Sequence, residues 1–138
     1  MPVEPEAVWA ALADPGAYAY WVVGSKLIRG ADDDWPAPGS RFHHTVGVGP
    51  LEISDHTESL EARPPVYLRI RAKARPLGTA RVTMEMTPQD GGTMVRMTET
   101  PDGASAVLSL NPLVHVVTRL RNAESLMRLE ELALRRAR

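Results

Sequence analysis

The chain has 138 residues, of which 43% are apolar and 24% are charged, as expected for one globular domain with its own core. Its 16 basic and 17 acidic residues leave a net charge of -1, which argues against a general nucleic-acid-binding protein. Cysteine is absent, so disulfides, thiolate metal sites and a cysteine nucleophile are excluded. No apolar run approaches the roughly 20 residues of a membrane span, and the N-terminus lacks the pattern of a signal peptide. We therefore expect a cytoplasmic protein, and the excess of Arg over Lys is typical of a GC-rich bacterial genome.

The N-terminal region is predicted to form two short helices. Pro5 suits the first position of a helix, and the first helix is expected to run to Ala13. Asp14-Pro15 ends that helix and offers a cap and a first residue for a second one, through about Tyr20. The aromatic residues here are expected to wedge both helices onto a sheet, or to form the lip of a ligand cavity.

Six segments are predicted to be strands, because apolar and polar residues alternate along them. They are 22–29, 40–48, 51–60, 66–74, 80–86 and 93–100. Turn residues separate consecutive segments, including a hairpin turn at Pro76-Leu77-Gly78, so the strands are expected to pair in succession. A connection from Thr100 to Leu110 follows the last strand. The alternation predicts an antiparallel sheet with one covered face.

A long helix is predicted from Pro112 to about Ala137, because Asn111-Pro112 can cap and start it and no Gly or Pro follows. At about 1.5 Å per residue it would span roughly 39 Å. The residues expected on its buried face are Leu113, Val116, Val117, Leu120, Ala123, Met127 and Leu134, and the face is widened near the end of the helix by Leu126, Leu129 and Ala133. A helix with this much apolar surface must pack against a broad surface within the domain. We therefore predict an α+β domain whose sheet wraps around the helix.

Three local patterns occur along the chain: the stretch 5–15 with Trp21 behind it, then Pro64-Pro65 before the strand at Leu68, then Gly92-Thr93 opening the last strand. With the order of elements, they resemble the helix-grip fold of the START-like (SRPBCC) superfamily, which includes polyketide cyclases, aromatases, lipid-transfer domains and pollen-allergen-like proteins. The resemblance implies that residues 1–138 form one domain, with a curved antiparallel sheet of six to seven strands around the long C-terminal helix. It also implies an elongated cavity for an apolar ligand between sheet and helix.

The sequence departs from this family at its start. The family normally has a strand before the first short helix, whereas only Met1 to Glu4 precede it here. The first strand is therefore expected to be absent or a stub, which would leave the last strand with a bare edge. Because a bare edge invites pairing with another chain, a homodimer is among the expected partners.

Polar side chains on the inward faces are the candidate catalytic groups, because burying such a group costs about 1–3 kcal/mol unless it is paired. These candidates are His44, Asp55 and Glu99. His44 could act as an acid or base, or it could be a core histidine bonded to a neighbour. For the two carboxylates, the alternative to proton transfer or ligand anchoring is structural pairing with Arg121.

The residues expected to line the ligand cavity are Trp21, Phe42, His44, Val46, Leu68, Ile70, Met84, Met97, Leu120 and Arg121. No metal site and no cofactor are expected; His43 and His44, adjacent in a strand, point to opposite faces. The basic row from Arg69 to Arg75 is predicted to be a solvated sheet face, since nucleic-acid binding would also require interleaved aromatic residues.

Three functions remain open at this point. The leading hypothesis is a protein that binds a small apolar or aromatic molecule in the cavity. The alternative is an enzyme of the polyketide cyclase, aromatase or dehydratase type that uses an acid/base side chain in that cavity. The third is an interaction module whose core is filled by its own side chains.

Overall fold

The computed structural model describes residues 1–75, 78–103 and 110–137. Its helices are α1 (Pro5–Leu12), α2 (Tyr18–Trp21) and α3 (Pro112–Arg136), with a short 3₁₀ turn (Pro15–Ala17) before α2. Its strands are β1 (Ser25–Ala31), β2 (Arg41–Val48), β3 (Leu51–Arg63), β4 (Tyr67–Ala74), β5 (Gly78–Gln89) and β6 (Gly92–Asp102). Most of the predicted Pro76–Gly78 turn and of the connection before α3 lies outside the described residues.

The six strands form one antiparallel sheet in the order β1 to β6, so each strand pairs with its neighbours in sequence. This confirms the predicted α+β architecture with hairpin succession. β1 begins at Ser25 rather than at the expected Val22. Val22 is the C-cap of α2, and Gly24, with a φ of 98°, turns the chain before the strand begins. The pairing of β3 with β4 shifts register between Ser59 and Glu61, which marks a bulge in the longest strand.

The N-terminal segment is a stub that covers only the start of β6. Met1 and Thr93 exchange two backbone hydrogen bonds of 2.8 Å, and the Thr93 hydroxyl donates to the Val3 carbonyl at 2.7 Å. Gly92 is required there, because a Cβ on it would lie 2.1 Å from the Met1 carbonyl oxygen. The Gly92-Thr93 pattern at the opening of the last strand therefore has a physical cause in the docking of this segment.

The filled core lies at one end of the domain, where α1, α2 and the second half of α3 pack on the sheet. Tyr18 and Trp35 are buried there, and both donate hydrogen bonds to the Leu12 carbonyl, at 2.8 and 3.1 Å. Tyr18 also contacts the rings of Trp21 and Phe42, with centroids 4.9 and 4.7 Å away. These contacts show that the aromatic residues do wedge the short helices onto the sheet.

The predicted buried face of α3 is wrong for its first half. Leu120 is 68% exposed, and Leu113, Val116 and Val117 are exposed as well; in the second half, Met127 is also exposed. The fully buried positions are Leu129 and Ala133, which the expected face included near the end of the helix, and Ser125, which it did not. The helix is turned so that a polar row points toward the sheet in its first half. This is possible because a cavity, rather than packed side chains, lies beneath that half.

Candidate functional site

A cavity of about 540 Å³ lies between the sheet and the first half of α3. The sheet contributes mostly apolar side chains, namely Phe42, Val46, Ile70, Ala72, Ala80, Val82 and Met97. The helix contributes Val114, Thr118, Arg121, Asn122 and Ser125. The volume falls within the range of about 300–1,000 Å³ that is usual for pockets that hold small molecules.

The cavity reaches the end of the sheet where α3 begins. The start of β1, the end of β2, the end of β4, the start of β5 and the end of β6 all lie at this end, since the strands alternate in direction. Ser25, Gly47, Ala74, Gly78 and Pro101 bring these strand ends into the cavity wall. The opposite end is filled by the core. The cavity therefore extends to the strand ends, and the core bounds it on the side of α1 and α2.

His44 lies in the wall with both ring nitrogens bonded to protein groups. Its Nε2 donates to the Lys73 carbonyl at 2.7 Å, which leaves Nδ1 free of a proton and able to accept from the Thr57 hydroxyl at 3.2 Å. Burial lowers the pKa of His44 below its usual value, although the Lys73 carbonyl and the Asp55 charge oppose that shift. The imidazole is therefore held neutral, and proton exchange with a ligand would first require one of these bonds to break.

Asp55 is buried but does not line the cavity. Its carboxylate accepts from the backbone N–H groups of His56 and Arg75, both at 2.9 Å, and from the Arg75 guanidinium at 2.9 and 3.0 Å. The Arg75 side chain and these N–H groups hold the pKa of Asp55 far below its usual range, against the opposing effect of burial. The sequence suggested Arg121 as the partner of Asp55. In the structure the partner is Arg75, which directly follows the last residue of β4.

Glu99 and Arg121 both line the cavity and form an ion pair between β6 and α3, in which Nη2 of Arg121 donates to both carboxylate oxygens of Glu99. This is the structural pairing that the sequence offered as the alternative to proton transfer. The Arg121 side chain is 41% exposed, whereas that of Glu99 is 14% exposed. One face of the pair is therefore open to water, and the pair can exchange part of its mutual bonding for a polar ligand group.

Two polar atoms beside the cavity have no hydrogen-bond partner in the described part of the chain: Nε1 of Trp21 and Oγ of Ser25. Both residues belong to the cavity wall, close to Val23, whose N–H donates to the Ser125 hydroxyl at 3.1 Å. Both atoms are covered by neighbouring groups, so a ligand reaches them only after a local adjustment such as rotation of the Ser25 hydroxyl. This wall holds spare hydrogen-bonding capacity for an acceptor on a ligand.

Seven of the ten residues expected to line the cavity lie in its wall: Trp21, Phe42, His44, Val46, Ile70, Met97 and Arg121. Leu68 and Met84 are instead fully buried in the core, on the inward face of the sheet beneath the short helices. Leu120 faces solvent because of the rotation of α3. Strand alternation thus placed inward residues on the correct face, but it could not separate those in the core from those in the cavity.

Among the helix residues of the wall, Arg121 and Asn122 were expected as a mid-helix polar pair that could reach inward, whereas Val114, Thr118 and Ser125 were not expected from the sequence. Thr118, Asn122 and Ser125 recur at spacings of four and three, so they share one face of α3. This spacing is the feature of the sequence that could have indicated a shared cavity-facing side of the helix. Polar residues at helical spacing normally mark a solvent-exposed face instead. Ala72 and Ala80 pair across β4 and β5, and both belong to the cavity wall; the alternation in their strands places them on the inward face with Ile70 and Val82.

Other kinds of site find no support in the described ranges. No group of three His, Asp or Glu side chains is placed to hold a metal ion within residues 1–75, 78–103 and 110–137. Over the same ranges, no helix is both long and apolar enough to cross a membrane. A second groove of about 350 Å³ lies between Met1, β6 and α3, and Met94 and Met127 are among its residues.

A profile of the family described as "Polyketide cyclase / dehydrase and lipid transport" matches residues 1–133. The chain belongs to this family. The match confirms the START-like resemblance, and it covers every helix and strand except the last turn of α3. No curated protein matches the chain.

Solved structures show the fold of this family over nearly the whole chain. Protein CV1439 from Chromobacterium violaceum is 18% identical with a TM-score of 0.71, and the alignment covers 96% of this chain and 91% of that one. Ara h 8.0201 is 13% identical with a TM-score of 0.73, covering 96% and 91%. A protein of unknown function from Staphylococcus aureus, SA2116, is 12% identical with a TM-score of 0.73, covering 96% and 87%. At these identities the likeness establishes the helix-grip fold alone.

Proposed function

We propose that this protein binds a small apolar or aromatic molecule in the cavity between its sheet and α3. The observation that carries the proposal is an unfilled volume of about 540 Å³ whose wall is mostly apolar and whose polar groups are few. A module with a filled core would have packed side chains there, since protein interiors are normally close-packed. Membership of a family whose description includes lipid transport supports the same function.

The wall suggests how such a ligand would be held. Ile70, Ala72, Val82 and Met97 offer a broad apolar surface on the sheet, and Met97 is flexible enough to adapt to ligands of different shape. The ion pair of Glu99 with Arg121 and the Asn122 amide lie on the other side, toward α3. A ligand with an apolar body and one polar group therefore fits this cavity better than a uniformly apolar one.

The remaining expectations stay predictions. They are a single START-like domain, a cytoplasmic location, a homodimer, the absence of a cofactor, and an enzymatic alternative with His44, Asp55 and Glu99 as acid/base groups. Of these three residues, His44 and Glu99 line the cavity and Asp55 does not. The enzymatic alternative therefore depends on His44 or Glu99.

The proposal is tested by filling the cavity. Ala80 lies in the wall opposite Ala72, so the side chain of an Ala80→Leu variant would occupy ligand space without removing any contact. We expect this variant to fold and to bind anilinonaphthalene sulfonate, a fluorescent apolar anion, at least about tenfold more weakly than the wild type, equivalent to about 1.4 kcal/mol.

The matched control is Thr98→Leu on the neighbouring strand β6, where the side chain is exposed. It adds a leucine to the sheet outside the cavity, and we expect its probe affinity to equal that of the wild type. Native mass spectrometry of the purified protein, beside the same sample denatured, would identify a co-purified ligand. Equal probe affinity of Ala80→Leu and wild type would refute the cavity as the binding site.

A further inference from the structure

The polar groups on the β1 and β2 side of the cavity leave little hydrogen-bonding capacity for a ligand. His44 has no ring nitrogen to spare, because Nε2 donates to the Lys73 carbonyl and Nδ1 accepts from the Thr57 hydroxyl. The unpartnered atoms of Trp21 and Ser25 are covered by neighbouring groups. A ligand that enters the cavity as it stands therefore finds no uncovered anchor among these groups.

The ion pair of Glu99 with Arg121, on the opposite side, leaves such capacity on both partners. Only Nη2 of Arg121 donates to the carboxylate, so Nε and Nη1 have no acceptor among the described residues. The two oxygens of Glu99 share that one nitrogen and accept no other hydrogen bond within residues 1–75, 78–103 and 110–137. A carboxylate can accept about four hydrogen bonds. The pair thus offers a ligand free donors on one residue and free acceptor positions on the other.

The pair lies beside the apolar floor of the cavity. Glu99 pairs with Val82 across β5 and β6, and Met97 is on the same face of β6 as Glu99. Both apolar residues line the cavity. On α3, Asn122 directly follows Arg121 and also belongs to the wall. A ligand whose apolar body lies on Val82 and Met97 therefore has one edge next to the pair.

The charges of the described wall cancel. Glu99 and Arg121 neutralise each other, and His44 is held neutral by burial and its two hydrogen bonds. Lys73 borders the cavity with its carbonyl, but its side chain points to the outward face of β4, since the neighbouring Ala72 points inward. An ionic ligand group would therefore lose hydration without gaining a counter-ion that is free to pair with it.

A hydroxyl group fits the pair better than an ionic group does. A ligand carboxylate would contact Arg121 only beside the negative charge of Glu99, and a ligand ammonium group would meet the reverse. A hydroxyl group can accept from Arg121 and donate to Glu99 at the same time. Both hydrogen bonds have a charged partner, which makes them stronger than bonds between neutral groups. The ion pair stays intact, so neither charge is left unpaired.

We propose that Glu99 and Arg121 select a neutral ligand that carries a hydroxyl group on an apolar body, such as a phenol. The hydroxyl oxygen accepts from Nε or Nη1 of Arg121, and the hydroxyl hydrogen is donated to Glu99. Neither an ether nor an ionised acid can make both bonds. This selection rests on the proposed ligand-binding function, and it specifies the polar group of the ligand.

The test compares three probes with the same aromatic body: 2-naphthol, 2-methoxynaphthalene and 2-naphthoate. Equilibrium dialysis of the purified protein at neutral pH, where 2-naphthol is uncharged, gives a Kd for each probe. We expect 2-naphthol to bind about tenfold or more tightly than 2-methoxynaphthalene, although the ether is the more apolar molecule, because the ether cannot donate to Glu99. We expect 2-naphthoate to bind more weakly than 2-naphthol.

The variant that tests the pair combines Glu99→Met with Arg121→Met, which removes both charges together and leaves neither unpaired. It should bind 2-naphthol and 2-methoxynaphthalene within about twofold of each other. The matched control combines Glu124→Met with Arg128→Met, because that ion pair is on the same helix but outside the cavity wall. The control should keep the preference of the wild type for 2-naphthol.

Glu99→Gln provides a second measurement that does not depend on the folding of the double variant. It leaves the charge of Arg121 uncompensated, so the affinity for 2-naphthoate should rise about tenfold relative to the affinity for 2-naphthol. An unchanged ratio of the two affinities would overturn the assignment of Glu99 as the acceptor of the hydroxyl hydrogen.

The outcomes separate this selection from the cavity function. If the wild type binds 2-naphthol and 2-methoxynaphthalene equally well, or binds 2-naphthoate more tightly than 2-naphthol, the selection is wrong but the cavity still binds apolar molecules. If the folded double variant keeps the preference, or the control variant loses it, the preference does not come from Glu99 and Arg121. If none of the three probes binds, the ligand-binding function fails together with the selection.

Discussion

Glu99 on β6 and Arg121 on α3 form an ion pair in the wall of the cavity. The pair joins the sheet to the first half of α3, where apolar contacts with the sheet are replaced by open volume. Arg121 is also next to the exposed Leu120, so this one contact connects the cavity, the last strand and the exposed side of α3. Its role should therefore differ from that of the ion pairs elsewhere on the surface.

Glu99→Gln should have little effect on global stability and a clear effect on ligand exchange. Because the pair is partly exposed, we expect a loss of no more than about 1 kcal/mol in the free energy of unfolding. The first half of α3 should move away from the sheet more often, which should raise the rate of ligand release and of amide exchange over residues 112–122. Stopped-flow release of a bound fluorescent probe and hydrogen exchange would measure both.

Glu124→Gln is the control for that prediction. Glu124 pairs with Arg128 along the outer side of the same helix, at 3.2 Å. It makes a comparable surface ion pair but does not tie α3 to the sheet. Equal ligand release rates in the two variants would contradict the role assigned to Glu99.

The rotation of α3 predicts opposite outcomes for two leucines on that helix. Leu129 is fully buried in the core, so Leu129→Ala should lower the free energy of unfolding by about 2–5 kcal/mol. Leu120 is mostly exposed, so Leu120→Ala should change it by less than about 0.5 kcal/mol. Urea denaturation of both variants measures the difference. A large loss for Leu120→Ala would show that the helix buries the face expected from its periodicity.

Protonation of His44 should make the protein less stable in mild acid. Its pKa is lowered in the folded state by burial, so below the ordinary histidine value of about 6.5 the unfolded chain binds the proton more readily. Stability is thus fully present above that pH and is lost as the pH falls through the lower, folded-state pKa. Urea midpoints measured from about pH 7.5 down to about pH 5 should decrease.

His44→Gln should flatten this pH dependence, because the glutamine amide can still donate to the Lys73 carbonyl but does not titrate in this range. His56 needs a separate control, since burial and the nearby charges of Lys73 and Arg41 lower its pKa too. The His56→Gln variant measures that second contribution. If His44→Gln keeps the full wild-type slope, His44 is not the group that titrates.

Asp55 should be essential for stability and dispensable for ligand binding. Asp55→Asn weakens four hydrogen bonds made to the carboxylate, which should lower the free energy of unfolding by about 1–3 kcal/mol. Probe affinity should be unchanged, because Asp55 is outside the cavity wall. If a polyketide-like substrate is turned over, Glu99→Gln should abolish turnover although the variant still binds the substrate with faster release, whereas Asp55→Asn should leave turnover intact. Turnover that survives substitution of His44, Asp55 and Glu99 in turn would exclude the catalytic assignment.

The sequence by itself determined the order of elements and the inward face of the strands. Alternation and turn residues predicted six strands in hairpin succession, and Asn111-Pro112 marked the start of α3. Both kinds of signal are local, since they depend on residues a few positions apart. For the same reason, the inward positions of Phe42, Ile70 and Met97 were predictable.

Only the tertiary structure decided which inward residues surround open volume. Leu68 and Ile70 share a face of β4, but Leu68 packs in the core whereas Ile70 lines the cavity. Which face of α3 is buried depends on the groups that the sheet places opposite the helix. The pairing of Asp55 with Arg75 likewise depends on which residues the fold brings close together. Apolar periodicity predicts burial only where packed side chains face the helix, and the first half of α3 faces a cavity instead.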